Sequence, residues 1–141
     1  MPGKFILLVL SWFLFMPVAA QNQPNMNFAG KWSGELVQKV LYDDFEFRLE
    51  LNIVKFDWKV SGTSRIETKS GHDYALFSIA GNIDGNKIFI EETGILSQHM
   101  SSPTIQWVQK KMHMELFGTS VMRGTWEDKY NTVSGTVDLH K

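Results

Sequence analysis

From Phe45 to Ile53 the chain alternates without a break. Phe45, Phe47, Leu49, Leu51 and Ile53 are apolar, and Glu46, Arg48, Glu50 and Asn52 between them are polar. Successive side chains of a strand point to opposite faces, so this period of two describes a strand with one buried and one wet face. Strands of that kind belong to antiparallel sheets. The same patterning, followed outward, predicts eight strands at about 30–38, 44–55, 58–67, 73–83, 87–95, 104–116, 121–127 and 132–140. In the sixth the apolar parity switches between Trp107 and Met112, which predicts a bulge. After residue 20 no stretch combines a helical period with credible caps.

A second pattern recurs in Phe28-Ala29-Gly30-Lys31-Trp32, Val60-Ser61-Gly62-Thr63-Ser64, Ile79-Ala80-Gly81-Asn82-Ile83, Met122-Arg123-Gly124-Thr125-Trp126 and Val133-Ser134-Gly135-Thr136-Val137. Each glycine stands two residues after an apolar one, in line with the buried side chains. There it makes room for a large neighbour or lets a strongly coiled sheet bend. The joins add a direction. Phe56-Asp57, Asp84-Gly85-Asn86 and Phe117 to Ser120 are hairpin-short, whereas Lys39 to Asp43, Thr68 to His72, Ser97 to Pro103 and Asp128 to Asn131 are longer or more polar. Alternate joins of an up-and-down barrel lie at opposite ends. The expected fold is therefore all-β: an eight-stranded antiparallel up-and-down β-barrel over residues 28–141, with a tight floor and a loop-rich mouth. Gly30, Gly62 and Gly81 fall at the floor, and Gly124 and Gly135 nearer the mouth, where a ligand could come close.

The first twenty residues change the picture of where this barrel works. Lys4 supplies a positive start, Phe5 to Phe15 an apolar run broken only by Ser11, and Val18-Ala19-Ala20 small residues before Gln21. This is the layout of a cleaved secretory signal over 1–20, followed by a polar, flexible lead-in over 21–27. The alternative, an uncleaved anchor, is disfavoured because Phe5 to Ala20 falls short of the ~20 residues a spanning helix needs. The expected location is secreted or periplasmic, with no membrane span once the signal is removed. Without Lys4 the 14 basic side chains become 13 against 15 acidic ones. That slightly negative balance offers nothing to nucleic acid or to an anionic membrane, so neither is an expected partner. There is no cysteine, which removes disulfides, thiolate catalysis and thiolate metal sites. The absence of cysteine and of any Asn-x-Ser/Thr acceptor leans towards a bacterial envelope protein.

Candidate chemistry collects at the mouth. Its loops would gather Tyr42, Asp43, Asp44, His72, Asp73, His99, Met100, Asp128 and Tyr130. Two histidines among carboxylates could orient a polar ligand, although no paired spacing such as His-x-x-x-His is present and a solvated rim has the same composition. Trp126 ends the seventh strand on that side and could line a pocket, whereas Trp32 lies at the floor and reads as a plug. The ligand-binding set is thus Trp126, Tyr42, His72, His99 and Tyr130. In Met112-His113-Met114 the two thioethers share a face and the imidazole points away, so the three cannot converge on one ion. No metal site and no cofactor is expected. Catalysis has thin support, for Glu91 and Glu92 face opposite ways and no nucleophile motif is present.

Gly30-x-Trp32, opening an eight-strand rhythm without helices, resembles the calycin-type barrels: lipocalins, fatty-acid-binding proteins, avidins and the small bacterial metalloprotease inhibitors. The resemblance implies a barrel with a binding role. It implies no biotin site, because Ser33-Gly34-Glu35-Leu36 lacks the Asn and Ser that avidins place there. The leading expectation is an exported, non-catalytic barrel binding a small, largely apolar ligand at its mouth. Its alternative is a solid scaffold that binds a protein through loops or outer face, as an inhibitor or assembly component. A calycin-like isomerase or hydrolase, or a metal binder, comes after both. Between Tyr74 and Ile90 both parities are apolar, which offers a surface for a homo-oligomer.

Overall fold

The computed structural model describes residues 27–104 and 106–141. The expected signal over 1–20, and all of the lead-in except Asn27, lie outside the described residues. Eight strands follow one another: β1 (Gly30–Val40), β2 (Asp43–Phe56), β3 (Lys59–Thr68), β4 (Tyr74–Asp84), β5 (Lys87–His99), β6 (Lys110–Phe117), β7 (Val121–Asp128) and β8 (Ser134–His140). Each pairs antiparallel with the next, and β8 returns to β1, closing the barrel. Among the described residues no helix is long and apolar enough to cross a membrane.

The period-two pattern positions the core. Leu49, Leu51 and Ile53 of β2 point inward, as do Ile88 and Ile90 of β5, Met112, Met114 and Leu116 of β6, and Val137 and Leu139 of β8. Eight strands enclose an interior just wide enough for side chains to fill. Phe28 and Trp32 close the floor, both fully buried, with the Trp32 indole N–H donating to the Phe28 carbonyl at 2.8 Å. Trp32 is the plug its position predicts.

The glycine pattern has a specific steric cause. A Cβ on Gly62 would stand 1.9 Å from the Asn52 carbonyl oxygen of the neighbouring strand, and one on Gly135 would stand 1.7 Å from that of Val37. Gly34, Gly81 and Gly124 meet a neighbouring carbonyl in the same way. At these points one strand is pressed against the next as the sheet coils, and only a hydrogen fits. Gly62 also holds φ at +136°, where side chains are rarely tolerated. Gly34 belongs to this set although the repeat did not single it out. Gly135 leaves no opening for a ligand: the Trp126 ring lies over it, with the indole nitrogen 2.8 Å from where a Cβ would be.

Four expectations about the strands change. β5 runs on to His99 rather than ending at 95. The β1–β2 join is a two-residue turn, Leu41-Tyr42, because the ladder runs on through Val40↔Asp43. β6 starts at Lys110, so the parity switch after Trp107 marks irregular chain rather than a bulge within a strand. The register shifts occur instead between β4 and β5, at Leu76/Phe77 and Ser78/Ile79. Floor and mouth stand as expected, with turns 57–58, 85–86 and 118–120 at one end and connections 69–73, 100–109 and 129–133 at the other.

Candidate functional site at the loop-rich end

Inward register carries two charges into the barrel. Glu92 follows Ile88 and Ile90 on the inner face of β5, and Lys110 precedes Met112 on the inner face of β6. Both are almost wholly buried, and the Lys110 ammonium lies 2.7 Å from Glu92 Oε1. The β5–β6 ladder ends one step earlier, at Glu91↔Lys111. The backbone N–H of Lys110 then donates to the same Glu92 Oε1 at 2.9 Å. A side-chain carboxylate thus takes the place a strand carbonyl would occupy, at the seam where β5 bends away towards β4. The ammonium also sits 4.6 Å from the centre of the Phe77 ring, a cation–π contact in a desolvated setting.

With Oε1 serving both donors, Glu92 Oε2 is buried and has no hydrogen-bond partner among the described residues. The same holds for Ser64 Oγ, on β3 directly across the ladder from Phe77. Ser64 and the ion pair therefore flank Phe77 along the inner wall. Desolvation of an ion pair is repaid only where the remaining lone pairs find donors. Here one carboxylate oxygen does not.

A cover lies above this polar patch. The 100–109 connection crosses the mouth, and Trp107 meets Phe47 of β2 edge-on, ring centres 6.0 Å apart. Two strands separate β2 from β5, so the contact spans the opening. The connection is tied down by the Asp73 carboxylate, which accepts from the Ser101 N–H at 2.6 Å and its hydroxyl at 2.9 Å. At its far end the Lys129 N–H donates to the Gln109 carbonyl at 2.9 Å. The Ser101 N–H holds the Asp73 carboxyl below its ordinary value. Desolvation opposes this, and the Ser101 hydroxyl and nearby His99 reinforce it. Asp128 plays the matching part for 129–133. Burial pushes its carboxyl up, but the hydroxyl of Thr132 and the N–H groups of Val133, Thr132 and Tyr130 bring it below the usual range.

The expected site residues occupy three different settings. Trp126 is buried in the inner wall, its indole N–H donating to the Val37 carbonyl at 2.9 Å. Tyr42, 96% exposed, stands at the tip of the β1–β2 hairpin beside Leu41, 90% exposed. Tyr130 is exposed in the 129–133 connection. His72 and His99 do come together: His99 Nδ1 lies 2.8 Å from the His72 carbonyl oxygen, which fixes the proton on that nitrogen. The His99 ring stacks on Tyr74. Among the described residues no group of three His, Asp or Glu side chains is placed to hold a metal ion. Met112 and Met114 lie in the core, and His113 packs outside against Phe89 with ring centres 4.7 Å apart.

Sequence reasoning considers Glu92 only as half of a Glu91–Glu92 pair that cannot act together, and does not single out Lys110. The signal is present: each stands two residues from an inward apolar side chain, Glu92 midway along β5 and Lys110 at the start of β6. Three grooves of about 460, 430 and 410 Å³ lie on the outer wall. The first is lined by Asn82, Lys87, Phe89, His113 and Arg123. In the second, the Lys69 ammonium donates to the Glu46 carboxylate and then to that of Glu35, which holds it above its ordinary pKa. In the Tyr74–Ile90 region Phe77, Ile79, Ile88 and Ile90 face the core, while Tyr74, Leu76 and Phe89 remain half-buried on the outside. Arg65 covers the Tyr74 ring at 4.2 Å.

The architecture is compatible with a calycin-type barrel, being closed, eight-stranded and antiparallel throughout. No family model, no curated protein and no solved structure matches the chain.

Proposed function

We propose that the chain is an exported, non-catalytic binding barrel that takes a small ligand at its loop-rich end, beneath the 100–109 connection. One observation supports this most: Glu92 Oε2 and Ser64 Oγ are buried there without partners among the described residues. Leaving a buried polar atom unpaired costs about 1–3 kcal/mol. A barrel that only had to fold could place apolar side chains at Ser64, Glu92 and Lys110, as it does along most of the inner wall. The chemistry asks for a compact molecule with one hydrogen-bond donor for the carboxylate and an apolar body against Phe77 and Phe47. Trp126, Met112 and Met122 fill the interior below, so the ligand lies shallow and Trp107 swings aside to admit it. Native mass spectrometry of the protein purified from its own source tests this. A bound small molecule, lost in Ser64→Ala with Trp107→Ala, supports the reading, and an unliganded mass overturns it.

A second reading has its own support. The filled interior and the bare Leu41-Tyr42 tip suit a solid scaffold gripping another protein by its rim. A co-purifying partner lost in Leu41→Ser with Tyr42→Ser favours it over the first.

A further inference from the structure

The floor end carries a surface that the ligand reading does not use. The β2–β3 turn is Asp57-Trp58, with Asp57 held at a positive φ of 54°. Two-residue hairpin turns favour Asn, Asp and Gly, small polar residues that suit tight turns and water. Here a tryptophan stands at the tip, 58% exposed, next to Phe56, 78% exposed. Val54 continues the outward face of the same strand, and Phe117 is exposed on the β6–β7 side of the floor.

The charge around these side chains has one prevailing sign. Lys55, Lys59, Lys87 and Lys141 stand at this end against Asp57, Asp84 and Glu115, with Lys55 and Lys59 close to Trp58 in sequence. Among the described residues none of those four lysines forms an ion pair with a carboxylate. Lys59 instead lies over the Trp58 ring at 5.2 Å. The opposite end carries Asp43, Asp44, Glu46, Asp73, Glu127 and Asp128 together with Lys39, Lys69, Lys110, Lys111 and Lys129, and is close to balanced. The exposed aromatics of the floor therefore stand beside lysines that no carboxylate neutralises among the described residues.

We propose that the floor end docks on an anionic lipid surface, with Trp58 and Phe56 entering the headgroup region and Lys55 and Lys59 pairing with lipid phosphates. Tryptophan is the side chain favoured at a membrane–water interface, and lysine flanking it adds attraction to anionic headgroups. The hairpin is rigid, so little order is lost on insertion.

The test uses residues 21–141, which hold the whole closed barrel and lack the leader, with vesicles of phosphatidylglycerol and phosphatidylcholine or of phosphatidylcholine alone. The expected result is sedimentation with the anionic vesicles only, with a blue shift of tryptophan emission that Trp58→Ser removes. Lys55→Gln and Lys59→Gln should each weaken binding about fivefold, the equivalent of ~1 kcal/mol per lysine near such a surface. Salt should weaken it further. These exposed positions can be changed without touching the core, and circular dichroism checks that each variant is folded. Absence of sedimentation at low salt, equal binding to both vesicle types, or unchanged binding by Phe56→Ser with Trp58→Ser would overturn the proposal. So would a dimer in sedimentation velocity that Trp58→Ser dissolves, since a second copy would then cover the patch.

Discussion

Glu92 and Lys110 decide most of what is particular about this barrel. Their pairing is made at the cost of desolvating two charges, so removing one partner leaves the other buried alone. Glu92→Ala is expected to lose about 3–5 kcal/mol, measured by urea unfolding, whereas Glu92→Leu with Lys110→Met should fall near the wild type or above it. The double variant should also lose any bound ligand, which separates the pair's role in binding from its role in folding. Gly135→Ala tests a different kind of constraint. Its methyl would press on the Val37 carbonyl and the Trp126 indole, and backbone cannot yield as a flexible side chain can. A loss of about 1–3 kcal/mol is expected in the same assay, with quenching or a red shift of Trp126 emission as the ring is displaced. Such residues are hard to read beforehand. A glutamate after another glutamate looks solvated, and only the parity set by Ile88 and Ile90 turns Glu92 inward.

The strands themselves were legible because half-buried strands write their geometry into the chain. β2, β3, β4, β7 and β8 start and end within two residues of where alternation predicts. Two failures share a physical reason: hydrogen-bonded pairing and burial do not end at the same place. The β1–β2 hairpin continues past the barrel rim to Val40 and Asp43, where both faces meet water and alternation vanishes although the ladder persists. At β6 the reverse occurs. Residues 106–109 keep apolar character because Trp107 covers the mouth, yet they pair with no strand. The connection they belong to depends on Asp73, and the one after it on Asp128. Both carboxyls sit below the ordinary value of 3.8 in the folded protein. A depressed carboxyl stabilises the fold fully above its unfolded value, and that contribution is lost as pH falls through 3.8 and below. Hydrogen exchange at Ser101 and Thr132 should therefore accelerate at acid pH ahead of the barrel strands. Asp73→Asn should free Ser101 already at neutral pH and make its exchange less dependent on acid.

At the scale of the molecule, a closed barrel without disulfides relies on one contiguous core and on the β1–β8 seam. Closure joins Ser33–Lys39 to Ser134–His140, the longest-range pairing in the chain. The two ends then diverge: the floor carries an exposed aromatic hairpin flanked by lysines, and the mouth a buried ion pair under a cover. Eight strands, closure direction and the difference between the ends could be anticipated from alternation, glycine spacing and join lengths. The internal polar patch could not, because it depends on which strands the seam brings together and on where β5 leaves β6.

The most direct measurement is the electron density beside Glu92 Oε2 in a high-resolution crystal structure of protein taken from its own source with no ligand added. The account predicts a multi-atom molecule that donates to Oε2, lies against Phe77 and displaces Trp107 from Phe47. A lone ordered water in that place, with Trp107 still on Phe47, would contradict it.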